Sequence, residues 1–254
     1  MKEIRSRMEI DRSRKIIETQ KNKLNEELDN FVYSVSHDLR SPLLSVKGIL
    51  TLVFESGKID ASSEKYLRMA ENSINRLDNT IQDILEYSRN SRLDVKGEWF
   101  DMSETVKQVF DDIQFISETP IRFEINIEGD SRIFSDKTRV ATIIKNLVSN
   151  AAKYRKLNID NCYVAFHMRR TDSELHFKVS DNGIGIPKDQ QDQVFNMFYR
   201  LSTDRQGTGL GLFIVQEIIS KLGGSIQLES EVNKGTAIQV LIPQTNSRVE
   251  IGEA

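Results

Sequence analysis

Val95-Lys-Gly-Glu-Trp-Phe-Asp-Met-Ser-Glu104 marks the point where one kind of sequence ends and another begins. Asp101 followed three residues later by Glu104 is a helix-start signal, in which a short carboxylate accepts an otherwise unpaired backbone N–H. Ahead of this stretch the chain carries long helical periodicities with hardly a breaker. Behind it, strand and helix patterns alternate. The chain therefore divides into units of different class.

Upstream, from Met1 to about Phe54, the only glycine is Gly48 and the only proline Pro42, while Ile10, Ile17, Leu24 and Phe31 keep a seven-residue interval. That is a coiled-coil seam. Arg14 and Lys21 occupy its companion positions before Leu28 and Val35 restore them, so the coil tightens toward His37. Ser56 to Ala61 breaks the pattern, and Asp60, Ser62 and Ser63 offer N-caps for a second helix. Leu67, Ala70, Ile74, Leu77, Ile81, Ile84 and Ser88 continue that helix in steps of three and four. One antiparallel hairpin cannot cover its own apolar stripe, so a homodimeric four-helix bundle is expected over residues 1–92.

Downstream, the patterns predict a helix over 102–116, strands at 121–128 and 132–134, a helix over 137–154, strands at 162–170 and 174–181, a helix over 209–222, and strands at 225–231 and 235–242. This mixed order predicts a second domain over 93–244, an α/β sandwich whose mixed sheet is covered by helices, giving an α+β multidomain chain. Residues 245–254 form a polar tail.

The chain has 254 residues, 38% of them hydrophobic and 29% charged, with a net charge of −3. No long basic run supplies a nucleic-acid surface. No stretch is apolar enough to span a bilayer, and the first thirty or so residues lack the apolar centre of a signal peptide. The expectation is a cytoplasmic chain without a sensor domain, which leaves room for a membrane anchor in a longer parent. A single cysteine, Cys162, excludes an internal disulfide and a cysteine metal cage, and it reads as a half-buried strand residue.

Three segments of the second domain suit phosphate chemistry. In Lys145-Asn-Leu-Val-Ser-Asn-Ala-Ala-Lys-Tyr154, Asn146, Asn150 and Lys153 fall on one helix face, and amide oxygens suit Mg²⁺. The competing reading is the polar side of an amphipathic helix. In Asp181-Asn-Gly-Ile-Gly-Ile-Pro187, Gly183 and Gly185 allow close backbone approach beside Ile186, and a half-buried Asp181 can accept a hydrogen bond from an exocyclic amine. A plain turn is the alternative. Gly207-Thr-Gly-Leu-Gly211 opens a helix, where backbone N–H groups and the dipole favour phosphate. It lacks a P-loop lysine, and only the combination carries weight.

Together with Phe31-Val-Tyr-Ser-Val-Ser-His-Asp-Leu-Arg-Ser-Pro42, these segments make the chain resemble the sensor histidine kinases over nearly its whole length. His37 to Pro42 resembles their H box, the asparagine helix their N box, Asp181 to Gly185 the G1 box, Phe195-Asn-Met-Phe-Tyr-Arg200 the F box and Gly207 to Gly211 the G2 box. The resemblance implies a dimerisation and phosphotransfer hairpin followed by the Bergerat ATP-binding fold of gyrase B. It implies ATP and Mg²⁺ as cofactors, with the metal on Asn150 supported by Asn146, phosphate at Lys153, adenine or ribose against Tyr154 and the adenine amine on Asp181. Gly183, Gly185, Ile186, Gly207, Thr208, Gly209, Leu210 and Gly211 complete the ATP set. The lid would run from Arg200 to Gln206, with Arg200 and Arg205 reaching the triphosphate. Phe195 and Phe198 read as lid anchors in the core.

On a helical wheel Leu28, Phe31, Val35, Pro42, Val46, Ile49 and Val53 fall on one side and His37 roughly opposite, so a core histidine is disfavoured. His37 is thus the candidate nucleophile, with Asp38 the carboxylate that takes the proton of the other ring nitrogen. Pro42 cannot donate to the carbonyl of Asp38 and weakens the helix there. Arg40 stands open between pairing with an acid and solvation, and His167 and His176 read as structural strand residues. Related ATPases commonly place a water-activating glutamate where this chain has Asn146, which favours transfer to a protein nucleophile over hydrolysis. The family then passes the phosphoryl group to an aspartate of a response regulator. Its phosphatase members use threonine or asparagine four residues past the histidine; here Ser41 stands there. The rival readings are an ATP-binding dimeric scaffold that does not phosphorylate itself, and a stand-alone ATPase.

Overall fold

The computed structural model describes residue 35 and residues 39–55, 59–116, 121–156, 161–171, 173–201 and 207–244. The early coil positions Ile10 to Phe31, the pair His37 and Asp38, Arg205 and the tail lie outside the described residues. The chain forms two compact units, Met1–Leu93 and Asp94–Ala254.

In the first unit, helix α1 covers residues 39–55 and α2 runs over Ala61–Arg92. Asp60 caps α2: its Oδ1 accepts the Ser63 N–H at 2.9 Å and its Oδ2 the Ser63 hydroxyl at 2.7 Å. The two helices run antiparallel. Arg40 of α1 pairs with Asp78 of α2 at 3.6 Å, and near the loop the Arg68 guanidinium lies 5.1 Å from the centre of the Phe54 ring. Arg40 is therefore paired rather than solvated alone.

The apolar residues that α1 turns inward are Leu43, Leu50, Val53 and Phe54, of which Leu50 is buried and Val53 belongs to the expected stripe. The stripe expected from the sequence divides here: Val35, Pro42, Val46 and Ile49 stay exposed, and Leu39 joins them. On α2, Ile81 and Ser88 are buried, whereas Leu77 is exposed. Each helix thus has two seams, one closed by its neighbour and one left open. That is the pattern a four-helix bundle requires, because each helix in it touches two others.

In the second unit the elements are β1 (Glu98–Asp101), α3 (Met102–Ile116), β2 (Arg122–Glu128), β3 (Arg132–Ser135), α4 (Lys137–Lys153), β4 (Tyr163–Arg170), β5 (Glu174–Asp181), a 3₁₀ turn (Lys188–Gln190), α5 (Gly211–Lys221), β6 (Ser225–Glu231) and β7 (Gly235–Pro243). The main sheet has the order β2-β4-β5-β7-β6, parallel between β2 and β4 and antiparallel elsewhere. α3, α4 and α5 pack on one face, as the mixed α/β reading expects. Leu175, Phe177 and Val179 alternate into that core with His176, Lys178 and Ser180 on the other face. Phe166, Phe177, Ile143, Ile144, Ile214 and Ile218 are almost wholly buried, each contributing about 2 kcal/mol through apolar burial.

Three details differ from the sequence reading. β1 is an additional strand, antiparallel to β3, and the ring of Phe134 fills the place where a Cβ on Gly97 would stand. Cys162 precedes β4 and is buried, its thiol donating to the Lys156 carbonyl at 3.2 Å. α5 begins at Gly211 instead of residue 209, because Gly209 has φ +78°, outside the helical range.

Asp136 begins α4 and anchors what precedes it. Its Oδ1 accepts the Arg139 N–H and its Oδ2 the Lys96 N–H, each at 3.0 Å. The Arg139 guanidinium pairs with the same carboxylate and donates to the Asp94 carbonyl at 3.1 Å. Both side chains are buried.

Candidate functional site

α4 organises the site because its apolar side is spent on the core. Val140, Ile143, Ile144, Leu147, Val148, Ala151 and Ala152 are buried, which turns Asn146, Asn150 and Lys153 to the other edge, half-buried. Asn146 gives its amide N–H to the Thr142 carbonyl at 3.0 Å, so its Oδ1 faces the start of α5. A Cβ on Gly211 would stand 2.8 Å from that oxygen and 3.9 Å from Asn150 Nδ2. The asparagine face and the glycine turn therefore meet directly.

Lys153 extends the same edge. Its ammonium lies 4.8 Å from the centre of the Tyr154 ring and occupies the space beside Gly207. The Tyr154 carbonyl accepts the Ile184 N–H at 3.0 Å, which ties the end of α4 to the loop after β5. Asn146, Asn150, Lys153, Tyr154, Asp181, Gly183, Gly207 and Gly211 are thus gathered around one helix end.

Asp181 Oδ1 accepts the N–H groups of Gly183 at 2.7 Å and Thr236 at 3.3 Å. Burial pushes its carboxyl up to about 6, against those two hydrogen bonds and the positive charge of Lys156, which pull it down. The outcome is a carboxylate with one oxygen fixed by backbone, poised to receive a donor at low desolvation cost. Gly185, at φ +70°, lies under the Glu231 carbonyl; a Cβ would stand 2.0 Å from that oxygen. Ile186 is buried and its N–H is taken by the Ser230 hydroxyl, so only its side chain remains for a ligand.

In the glycine turn, Thr208 Oγ1 accepts the Leu210 N–H at 3.2 Å. Leu210 is fully buried, with its N–H held by Thr208 and its carbonyl accepting the Ile214 N–H at 2.9 Å, so it shapes the turn from within and presents no free group to a ligand. Gly209 packs on the F-box backbone, where a Cβ would stand 2.7 Å from the Phe198 carbonyl carbon. Phe198 itself is 54% exposed at φ +64°, so it is not the core anchor expected from the sequence; Phe195 is half-buried. Arg200 is half-buried ahead of the residues that are not described, which include Arg205.

Among the described residues no cluster of three His, Cys, Asp or Glu side chains could hold a metal. The donor set at Asn146 and Asn150 is neutral oxygen and fits a Mg²⁺ that keeps water and substrate phosphate in its shell. His176 pairs with Glu174 at 2.9 Å, and His167 is exposed on β4. Sequence reasoning missed Thr236 and Lys156, both of which act on Asp181. Thr236 acts through a backbone N–H, which no side-chain pattern announces.

Residues 27–92 match the family model described as the His Kinase A (phospho-acceptor) domain, and residues 135–246 the model described as Histidine kinase-, DNA gyrase B-, and HSP90-like ATPase. The chain belongs to the histidine kinase family. A methanogenesis regulatory histidine kinase, FilI, of Methanothrix harundinacea is 34% identical over 86% of this chain and 25% of its own length. The sensor histidine kinase WalK of Bacillus subtilis is 30% identical over 89% of this chain and 38% of its own. The chain thus spans well under half the length of these two histidine kinases. The crystal structure of full-length ShkA in complex with AMPPNP superposes with a TM-score of 0.64 over 84% of this chain and 45% of that one, at 24% identity, a likeness of fold. Within the histidine kinase pattern, Ser41 lies exposed on α1, and its carbonyl accepts the Ser45 hydroxyl at 3.1 Å.

Proposed function

We propose that the chain is the ATP-dependent catalytic core of a two-component protein histidine kinase: as a homodimer it phosphorylates His37 and passes the phosphoryl group to an aspartate of a response regulator. The observation that supports this most is the meeting of the asparagine face of α4 with the start of α5 at one end and the Asp181 loop at the other. Phosphate and base sites then lie along one helix edge. On this reading the hairpin spans 1–92 and the ATP domain 93–244, both in the cytoplasm.

Phosphoryl transfer needs alignment and charge neutralisation more than covalent help. Asn150, supported by Asn146, would hold Mg²⁺, which neutralises charge on the triphosphate. Lys153, Arg200 and Arg205 add cations on the phosphate side. Tyr154 would lie against the adenine or ribose, and the free oxygen of Asp181 would accept the adenine amine. One imidazole nitrogen of His37 bonds to the γ-phosphorus as the bridging oxygen leaves with ADP, and Asp38 takes the proton of the other nitrogen. Asn146 cannot act as a base toward water, which favours His37 over hydrolysis. Reverse dephosphorylation of the regulator would fall to Ser41, whose hydroxyl is shorter in reach than the amide of asparagine.

Incubation with γ-labelled ATP and Mg²⁺ tests the reading. The expected product is acid-labile, alkali-stable label on the protein that disappears in His37→Ala. Label surviving that substitution would sink the assignment, and free phosphate without label would favour a stand-alone ATPase.

A further inference from the structure

Ser230 lies in β6, away from every segment the kinase motifs mark, yet it joins both ends of the loop Asp181–Pro187. Its Oγ accepts the Ile186 N–H at 2.8 Å, lies 2.9 Å from the Gly235 carbonyl, to which it donates, and is 2.8 Å from Thr236 Oγ1. A serine hydroxyl has one proton and two lone pairs, so with the Thr236 hydroxyl donating all three are used. The Ser230 carbonyl accepts from the Gln191 amide at 2.8 Å, and that same amide donates to the Ile186 carbonyl at 3.0 Å.

Across the sheet, Ser230 is registered with Thr236, and Thr236 with Asp181. The Thr236 N–H donates to Asp181 Oδ1. One rung of the sheet therefore runs from Ser230 to the carboxylate, while a second connection runs from the same hydroxyl to Ile186. The far end of the loop and the Asp181 rung therefore converge on this hydroxyl. Between them Gly185 is pressed under the Glu231 carbonyl, next to Ser230 in β6.

We propose that Ser230 is a positioning residue for nucleotide-base selection: it sets the spacing between the Asp181 carboxylate and Ile186 and so fixes how a purine is seated between them. It touches no nucleotide itself. The proposal rests on the kinase reading, in which Asp181 accepts the adenine amine. A loop released from Ser230 keeps its carboxylate but loses the register that matches an amine at the adenine position. Discrimination against guanine then falls along with affinity.

The test uses the full chain and displacement of trinitrophenyl-ATP by ATP and by GTP, with thermal unfolding followed in parallel. Ser230→Ala is expected to weaken ATP by about tenfold, the loss of roughly one well-made hydrogen bond, and GTP by much less, so the ATP preference narrows. Ser230→Thr, which keeps the hydroxyl, should restore both values. Wild-type affinity and preference in Ser230→Ala would overturn the proposal, as would equal weakening of both nucleotides or failure of the threonine to rescue. A wild-type chain that binds neither nucleotide sinks the kinase reading and this proposal with it, whereas loss confined to the Ser230 comparison leaves the kinase reading standing.

Discussion

Asp181 carries two opposite demands in one side chain. Its folded carboxyl stands at about 6, above its ordinary 3.8, because burial outweighs its backbone hydrogen bonds. A raised acid costs stability where it is charged in both states. The native protein gains from this group as pH falls from about 7 through 6 and toward 4, where the folded form takes up a proton before the unfolded one. Binding runs the other way, since the protonated acid has lost its charge as an acceptor for an amine. ATP affinity is therefore expected to fall over the same interval in which the nucleotide-free protein gains stability. Asp181→Asn should remove both trends, raise the unfolding midpoint of the nucleotide-free protein at pH 7 and weaken ATP by about tenfold, since a charged acceptor is worth roughly 1–2 kcal/mol more than a neutral one. Calorimetric titration and thermal unfolding at pH 5 and pH 7.5 check this. An ATP affinity that is flat between those values would refute the role.

At the scale of the element, α4 owes its position to its N-cap, Asp136, as much as to its apolar face. Burial alone would raise the Asp136 carboxyl, but the N–H groups of Arg139 and Lys96 and the Arg139 guanidinium outweigh it and hold it below the usual range. Its pH dependence is opposite to that of Asp181: its contribution is present above about pH 4 and is lost as pH falls below that. Asp136→Ala leaves a buried guanidinium without its anion and the first turn without its cap, at a cost of about 3–5 kcal/mol. Asp136→Ala with Arg139→Met should cost less than the single change, and denaturant unfolding of both variants measures the difference. This pair also marks what the sequence could and could not reveal. α2, α3, α4 and the strands β4 to β7 were legible because their apolar periods are long and the starts of α2 and α3 carry signals, Asp60 and Asp101, both of which cap as expected. Asp136 caps α4 with no glutamate three residues on, and β1 is too short for its alternation to stand out. The closeness of Asn146 to Gly211, and of Thr236 to Asp181, depends on sheet order and is written in no local pattern. The glycine turn was legible as glycine, but the reason for Gly209 lies in the Phe198 backbone it touches.

For the whole molecule the open seam of the hairpin sets a condition that one chain cannot meet. Leu39, Pro42, Val46 and Ile49 lie exposed along α1 about one turn apart, with Leu77 exposed on α2, while Leu50 beside them is buried within the same chain. Two adjacent residues thus belong to different interfaces, and substituting each separates folding from association. Ile49 is 60% exposed, so Ile49→Glu removes little that a single chain buries, and the hairpin should keep its helicity. In a two-fold dimer, however, it places the charge twice, forfeiting about 2 kcal/mol of apolar burial on each side and weakening association by at least roughly a hundredfold. Leu50→Glu should instead lower helicity and thermal stability together. Sedimentation equilibrium and circular dichroism of the two variants distinguish these effects. On the homodimer reading proposed above, in which a second chain covers the seam, Ile49→Glu should also lower labelling of His37 at low protein concentration, with partial recovery as concentration rises. A dimer of wild-type strength in Ile49→Glu would mean that the seam is closed by something other than a second copy.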